Sequence, residues 1–195
     1  MDKRVVKTKR NIRNTLVKLL DEKPFEKITV AEICREGEIG RITFYSHYDD
    51  KYALVEEIFN DFVTECDIDY HRLQKENNPD LSTSKSYDNL LACIVNVFAN
   101  HEKFLHKVTS SENPYLKSAL YQHLFTEVDS YIRRHKEGFH SKYPSGLIAA
   151  LICSGLFGVI GEGSSMGLTP DQIRDVAESM LHDLMRSSLF VTRGD

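Results

Sequence analysis

One short stretch of the sequence, which begins at Ile28, constrains the fold most because it fixes where a helix starts and stops. Thr29 is a good N-cap residue, and Glu32 three positions later completes a capping box, in which each side chain bonds the other residue's backbone amide. Ile28 before the cap and Ile33 after it have the spacing of a hydrophobic staple. Glycine accepts turn conformations and is a poor helix residue. The pattern therefore predicts a short helix that ends near Gly37.

A second short helix follows after a tight turn. Gly40 can cap this helix, which is predicted to run from Arg41 to about Ser46. Asp49 or Asp50 then offers an N-cap for a third helix. Two short helices joined by a tight turn, with an aromatic-rich second helix, are typical of a helix-turn-helix that reads the major groove of DNA. We therefore expect a DNA-binding interface in this stretch.

Several side chains in this stretch suit contacts with DNA. Arginine can bond guanine bidentately, and threonine and tyrosine hydroxyls suit phosphates or base edges. Lys51 stands at a helix start, where its charge gains nothing from the helix dipole, so a phosphate partner would explain it. A solvated helix face is the alternative for the others, whereas Phe44 and Tyr48 are expected to be core aromatics. The predicted DNA-binding residues are Thr29, Arg41, Ile42, Thr43, Tyr45, His47 and Lys51.

Residues 8–58, about a quarter of the chain, resemble the DNA-binding domain of TetR-type transcriptional regulators. Where that family usually has alanine and glycine in the turn, this chain has Gly37 and Glu38. Gly40 stands in place of the usual serine or threonine cap, and Ile42 in place of a small residue. The matching positions are Thr29, Val30, Ile33, Gly37, Ile39, Arg41, Thr43, Phe44, Tyr45, His47, Tyr48, Lys51 and Leu54.

The resemblance implies a function as well as a fold. We expect a homodimeric transcription factor, most often a repressor in this family, that binds a palindromic operator on double-stranded DNA. Release from the operator by a small-molecule effector is the expected form of regulation.

Charge is unevenly distributed along the chain. The net charge is −4, but residues 1–54 carry 12 Lys/Arg and 9 Asp/Glu, whereas the remainder carries 13 and 20. Residues 1–20 contain seven basic residues and one acid. A basic cluster next to a helix-turn-helix can neutralise DNA phosphates. We expect the first helix to contact the phosphate backbone; a flexible, solvated terminus is the alternative.

Helical periodicity over the whole chain predicts an all-α fold. We expect residues 1–50 to form an N-terminal three-helix helix-turn-helix DNA-binding domain. Residues 51–195 are expected to form a C-terminal helical bundle for ligand binding and dimerisation. The predicted helices beyond the helix-turn-helix cover about residues 5–22, 51–74 and 87–109, a stretch that starts at Asn113 and Pro114, residues 147–160, and a stretch that starts at Thr169.

The last two predicted helices offer a large apolar surface. Residues 147–160 contain no charge, and 14 residues are too few for the roughly 20 that a membrane span needs, so we expect protein to enclose this helix. The final helix begins with a capping box of Thr169 and Gln172 and carries a wide apolar stripe. A homodimer with a four-helix interface built from the last two helices of each chain would bury this surface. A monomeric core is the alternative.

The middle and C-terminal helices are expected to hold the effector. The segments SGLFGVI and GLTPDQI resemble the TetR subgroup that includes dihydroxyacetone-kinase regulators, in which a tryptophan often stands where this chain has Gly163. TetR-type regulators generally bind a small molecule among the middle helices, in pockets that are mostly apolar with a few polar groups. The candidate pocket residues, for each of which an ordinary core or surface role is the alternative, are Tyr87, Phe98, His101, Phe104, Tyr121, His123 and Phe125.

Other classes of function find little support in the sequence. It lacks the HExxH, P-loop, GxGxxG and GxSxG patterns and any Cys/His zinc spacing, so we predict no enzyme activity, no catalytic residue, no cofactor and no metal site. The four cysteines show no CxxC spacing and no signal peptide is evident, so we expect reduced thiols in a cytoplasmic protein. A helix-turn-helix used only for protein–protein interaction is the alternative function.

Overall fold

The computed structural model describes residues 3–134, 140–141, 143–186 and 190–191, and its architecture is all-α, as predicted. A two-residue antiparallel pair, β1 (His140–Ser141) and β2 (Phe190–Val191), is a minor addition. The helices in chain order are α1 (Lys3–Glu22), a 3₁₀ turn (Phe25–Lys27), α2 (Val30–Glu36), α3 (Arg41–Tyr45), α4 (Lys51–Asn77), α5 (Thr83–Asn100), α6 (Glu102–Thr109), α7 (Pro114–Arg134), α8 (Ser145–Ser165) and α9 (Pro170–Met185).

The chain divides into two compact units, and the division differs from the predicted one. The N-terminal unit consists of residues 1–61 and 103–119, and the C-terminal unit of residues 62–102 and 120–195. The division falls inside α4, after residue 61, whereas the predicted boundary after residue 50 lies just before the first residue of that helix, Lys51. The N-terminal unit also takes α6 and the start of α7, which the sequence placed in the ligand-binding domain.

The apolar stripe of α1 forms the centre of the N-terminal core. Its Ile12 and Leu16 are fully buried. Phe25 from the 3₁₀ turn is also fully buried, and its ring stacks on that of Tyr115 with the centroids 5.6 Å apart. The remaining large buried residues of this unit include Leu19, Leu20, Ile28, Ile33, Phe44, Leu54, Val55, Phe59, Leu105, Val108 and Leu116.

Asn113 attaches the second segment of the N-terminal unit to the first. Asn113 directly precedes α7, at the usual position of a helix cap, but its buried side chain bonds elsewhere. Its Oδ1 accepts the backbone N–H of Phe25 at 2.6 Å, and its Nδ2 donates to the carbonyl of Lys107 at 2.9 Å. The side-chain amide of Asn113 thus bridges the 3₁₀ turn and α6, and it satisfies the buried N–H of Phe25.

A cluster of ionic hydrogen bonds joins α1 to α4. The carboxylate of Glu57 accepts hydrogen bonds from Lys9, Arg13 and the hydroxyl of Tyr48, the last at 2.7 Å. Arg13 also donates to Asp61. Although burial raises the pKa of Glu57, the bonds from Lys9, Tyr48 and Arg13 outweigh it and lower that pKa to about 2.

We predict that Glu57→Gln destabilises the protein at neutral pH but not at low pH. The folded-state pKa of about 2 lies below the ordinary value of 4.5, so the stabilisation by the carboxylate is complete above pH 5 and is lost as the pH falls towards 2. Urea unfolding between pH 3 and pH 7 should show the two proteins converging in acid. Glu112→Gln, at an exposed carboxylate, should show no such trend. A difference that stays constant with pH would contradict the role of the Glu57 charge.

The C-terminal unit has its own core, in which α9 packs against both α5 and α8. Gly163 is buried, and a Cβ there would lie 2.9 Å from Cγ1 of Ile173, so a glycine permits the close approach of α9. The helix predicted over residues 87–109 is two helices, because the backbone of His101 leaves the helical region at φ −113°, ψ 24°. The core residues are Tyr87, Leu91, Ile94, Val95, Val128, Tyr131, Ile132, Ile148, Ala149, Ile152, Cys153, Leu156, Ala177 and Leu181.

The length predicted for the apolar helix is wrong. The helix α8 has 21 residues rather than 14, because it also includes Ser145 and Gly146 before the apolar run and residues 161–165, with the charged Glu162, after it. Within the part of the chain that the structure describes, it is the one helix long and apolar enough to cross a membrane, which is weak support because core helices of soluble proteins meet the same criterion. A single chain does not enclose it, since Leu147 is 63% and Leu151 46% exposed.

Candidate nucleic-acid interface

The capping box at the start of α2 forms as predicted. The Thr29 hydroxyl accepts the Glu32 amide at 3.3 Å, and the Glu32 carboxylate accepts the Thr29 amide at 2.9 Å. Hydrogen bonds from Lys23 and from Thr29 lower the pKa of Glu32 to about 2, so the carboxylate is charged at any physiological pH. Thr29 itself is exposed, and a DNA contact through it remains a prediction.

In the turn between α2 and α3, the residue with a left-handed backbone is Glu38 and not Gly37. Gly37 has φ −85°, so it is not needed for a left-handed conformation; a Cβ there would lie 2.9 Å from the Ile33 carbonyl, from Ile39 and from Thr15. The left-handed residue is Glu38, at φ 52°. Hydrogen bonds from Ile39 N to the Cys34 carbonyl and from Glu38 N to the Arg35 carbonyl form a Schellman motif, which usually has glycine at this position.

One buried aromatic side chain, that of Phe44, anchors α3 in the core, and the other four side chains of the helix are exposed to solvent. Phe44 is fully buried, with Tyr48 packed against it at 5.7 Å between ring centroids, so both are core aromatics as predicted. Ile42 is 88% and Tyr45 55% exposed. The exposed side chains of α3, which we call the reading face, are Arg41, Ile42, Thr43 and Tyr45.

The reading face has the chemistry needed to distinguish base pairs. The guanidinium of Arg41 makes no hydrogen bond or ion pair with any residue that the structure describes, so its donors are available to guanine O6 and N7. An isoleucine as exposed as Ile42 suits the methyl group of thymine. The hydroxyls of Thr43 and Tyr45 can bond phosphates or base edges. His47, just beyond α3, is half-buried with its ring 6.3 Å from that of Tyr48.

Lys51 does not have the role that the sequence suggested. Its ammonium is buried at the start of α4 and donates to the carbonyls of Phe25 at 2.8 Å, Glu26 at 3.2 Å and Ile28 at 2.8 Å. It also lies 4.4 Å from the centre of the Phe25 ring. Burial lowers the pKa of Lys51. All three ammonium donors are occupied by carbonyls at the end of the 3₁₀ turn, so the expected phosphate contact is wrong and this lysine is structural.

Three of the seven predicted effector residues, Phe98, Tyr121 and Phe125, lie in one group of aromatic side chains. Phe98 and Tyr121 both contact Phe157, which the sequence reasoning missed, with ring centroids 6.0 Å and 5.8 Å away. Tyr121 also stacks on Phe125 at 6.3 Å, and its hydroxyl lies 3.3 Å from that of Ser154. We call these side chains, Phe98, Tyr121, Phe125, Phe157 and Ser154, the aromatic cluster.

The other four predicted effector residues lie on α5, α6 and α7 or, for His101, between α5 and α6. Tyr87 is a core residue against Tyr131, and the ring of His101 lies against Phe62 with its Nε2 2.6 Å from the Glu65 carboxylate. Phe104 belongs to the N-terminal unit, because α6 packs there. His123 lies half-buried on α7.

Two curated bacterial regulators are similar to the chain. The uncharacterised HTH-type transcriptional regulator YxbF of Bacillus subtilis is 30% identical over 101 residues, which are 51% of this chain but only 26% of YxbF. The HTH-type transcriptional regulator SAB2452 of Staphylococcus aureus is 27% identical over 132 residues, 64% of this chain and 67% of that protein. The chain thus spans about a quarter of the length of the first relative and two thirds of the second.

Solved structures share the fold at low sequence identity. A TetR-family transcriptional regulator from Syntrophomonas wolfei superposes with a TM-score of 0.76 at 16% identity, over 94% of this chain and 97% of that one. The dihydroxyacetone kinase operon activator DhaS, from the subgroup that the C-terminal half resembles, superposes with a TM-score of 0.56 at 17% identity over 92% and 96%. Residues 12–58 match the sequence model described as bacterial regulatory proteins, tetR family, so this segment is similar in sequence to members of that family.

Proposed function

We propose that the chain is a TetR-type transcriptional regulator, a cytoplasmic repressor that binds a palindromic operator as a homodimer and is released from it by a small molecule. The reading face is the observation that carries the proposal. Four exposed side chains with different hydrogen-bonding and apolar chemistry stand on a helix that Phe44 anchors in the core. Ile42, which is 88% exposed, places an apolar group beside the polar side chains of Arg41 and Thr43, and such a group can contact a thymine methyl.

The exposed surfaces of α8 and α9 support the homodimer. Val176 and Met180 on α9 are exposed, as are Leu147 and Leu151 on α8. A Cβ added at Gly155 would meet no atom within 4 Å, so a neighbouring helix could approach α8 closely. Two such surfaces would form a four-helix interface. A dimer with two-fold symmetry presents two copies of α3, and these would read half-sites about 34–36 Å apart.

The aromatic cluster supports the small-molecule effector. Its members are half-buried rather than fully buried, apart from the exposed Ser154, so a planar apolar compound can reach the rings of Phe98, Tyr121 and Phe157. The hydroxyls of Tyr121 and Ser154 could bond a polar group on such a compound. DhaS is described as an activator, so repression rather than activation is itself part of the proposal. Expression of a reporter gene placed downstream of the selected operator would distinguish the two.

We predict that Arg41→Ala weakens operator binding by about 1–3 kcal/mol and relaxes the preference at one base pair of each half-site. The reason is the loss of a bidentate contact that only guanine can complete. Duplexes selected from a random pool, titrated by fluorescence anisotropy, would give the affinity, the base preference and the number of chains bound. Arg35→Ala, at an exposed arginine on α2, is the matched control.

Three results would argue against the proposal in different ways. Equal weakening of Arg41→Ala on all sequences would make Arg41 a phosphate contact. One chain per operator would exclude the homodimer. Salt-independent binding, or no preferred duplex at all, would favour the alternative, a module for protein–protein interaction.

A further inference from the structure

A cleft opens in the N-terminal unit between α1 and the turn that precedes α3. Its volume is about 510 Å³. One wall is formed by α1, and the other by the turn and the first residues of α3. Its lining residues are Lys7, Thr8, Arg10, Asn11, Asn14, Glu38, Ile39, Gly40 and Thr43. Since Thr43 also belongs to the reading face, the cleft adjoins the surface proposed to contact bases.

The cleft holds two basic side chains with free donors. Lys7 and Arg10 are exposed, and neither forms an ion pair or a side-chain hydrogen bond with any residue that the structure describes. Their neighbours on α1 differ in this respect, because Lys9 and Arg13 are held by Glu57. The basic side chains of α1 therefore fall into two groups. Lys9 and Arg13 are paired with Glu57, whereas Lys7 and Arg10 have no ionic partner among the described residues.

The walls of the cleft are fixed in place. The Nδ2 of Asn11 donates to the Gly37 carbonyl at 2.8 Å and so ties α1 to the turn. Gly37 leaves no room for a Cβ against Thr15 of α1, which shows how closely the two walls approach at the base. A ligand that enters the cleft meets groups that are already positioned, which lowers the entropy cost of binding.

We propose that this cleft receives a backbone phosphate of the operator, held by Lys7 and Arg10, while the neighbouring reading face contacts the bases. This inference rests on the proposed function and adds to it a second contact site that carries no base information. Such contacts fix the register of a protein on the duplex and supply salt-dependent affinity.

Glu38 weakens this phosphate contact. Its carboxylate lines the same cleft, is exposed, and forms no ion pair with the residues that the structure describes. A negative charge beside a bound phosphodiester repels it, and the left-handed backbone of Glu38 fixes where the side chain leaves the turn. The usual glycine at this position would have no such charge. Glu38 thus sets the affinity for DNA below the value that the two cations alone would give.

The salt dependence of DNA binding tests the phosphate site. The probe is a fluorescein-labelled pool of 30-base-pair duplexes of random sequence, titrated with the full chain from 50 to 300 mM KCl. Replacing Lys7 and Arg10 together by glutamine should lower the slope of log K against log salt by about 0.9 for each cleft phosphate lost. The matched control, Lys18→Gln with Lys75→Gln, removes the same charge from exposed sites outside the cleft and should leave the slope unchanged.

A substitution at Glu38 tests separately whether its negative charge lowers the affinity for DNA. Glu38→Gln, which keeps the backbone strain but removes the charge, should raise affinity about two- to fivefold at low salt. Glu22→Gln, at the far end of α1, should not. Equal slopes for the cleft variant and the charge-matched control would overturn the phosphate site, while a base preference that still depends on Arg41 would leave the proposed function standing. A wild-type protein that binds no duplex would overturn both.

Discussion

Phe44→Ala is expected to lower the free energy of unfolding by about 3–5 kcal/mol, because it removes a fully buried aromatic ring and leaves a cavity under α3. The helix has only five residues and no side-chain cap, so this ring is its main attachment. Neighbouring rings lose a partner too, since Tyr45 and Tyr48 both lie within 6 Å of it between centroids. Urea unfolding followed by circular dichroism would measure the loss, and hydrogen exchange of the α3 amides would locate it.

Two further variants, Phe44→Leu and Tyr45→Ala, distinguish the anchoring of α3 by Phe44 from contact of α3 with DNA. Phe44→Leu keeps most of the apolar volume and should cost less than half as much as Phe44→Ala. Tyr45→Ala removes an exposed ring from the reading face, so it should leave stability within about 0.5 kcal/mol of wild type while it weakens DNA binding. The anchoring role of Phe44 fails if Phe44→Ala unfolds at the same urea concentration as wild type.

Lys51→Met is expected to destabilise the protein by about 2–3 kcal/mol, since the carbonyls of Phe25, Glu26 and Ile28 would lose a buried charged donor. Methionine has a similar length, so packing changes little and the missing hydrogen bonds dominate. Urea unfolding at pH 7 measures the loss. Lys18→Met, at an exposed position on the same unit, should change stability by no more than about 0.5 kcal/mol.

DNA binding by the same variant distinguishes the structural lysine from a phosphate contact. At a temperature where both proteins are folded, Lys51→Met should keep the wild-type slope of log K against log salt. A slope lower by about 0.9, with unfolding unchanged, would restore the phosphate role that the position of Lys51 at a helix start suggested.

Local signals in the sequence were sufficient for the two helix starts that carry a capping box. The capping boxes at Thr29 and at Thr169 both form as predicted, because each is made by residues three positions apart. The exposed reading face and the buried Phe44 were also predictable, since a five-residue helix with one anchoring aromatic leaves little choice of which side faces inward.

Partners that are distant along the chain could not be predicted. Lys51 bonds carbonyls more than twenty positions earlier, and Asn113 bonds the amide of Phe25, 88 positions away. Nothing in the local composition distinguishes these side chains from an exposed lysine and an ordinary cap. The division of the aromatic candidates had the same cause, because the break at His101 sends Phe104 into the other unit while apolar periodicity continues across it.

The N-terminal unit is built from two separate segments of the chain, and this affects how its DNA-binding region could be exchanged with that of a relative. The matched family sequence ends at residue 58, yet this unit also includes residues 103–119. A chimaera that took only the first sixty or so residues from another regulator would pair a foreign 3₁₀ turn with the resident Asn113 and Tyr115. The buried amide of Phe25 and the ring stacked on it would then depend on residues that had not been transplanted. The N-terminal unit of this protein is therefore discontinuous in sequence, and residues 103–119 constrain which foreign N-terminal segments it can accept.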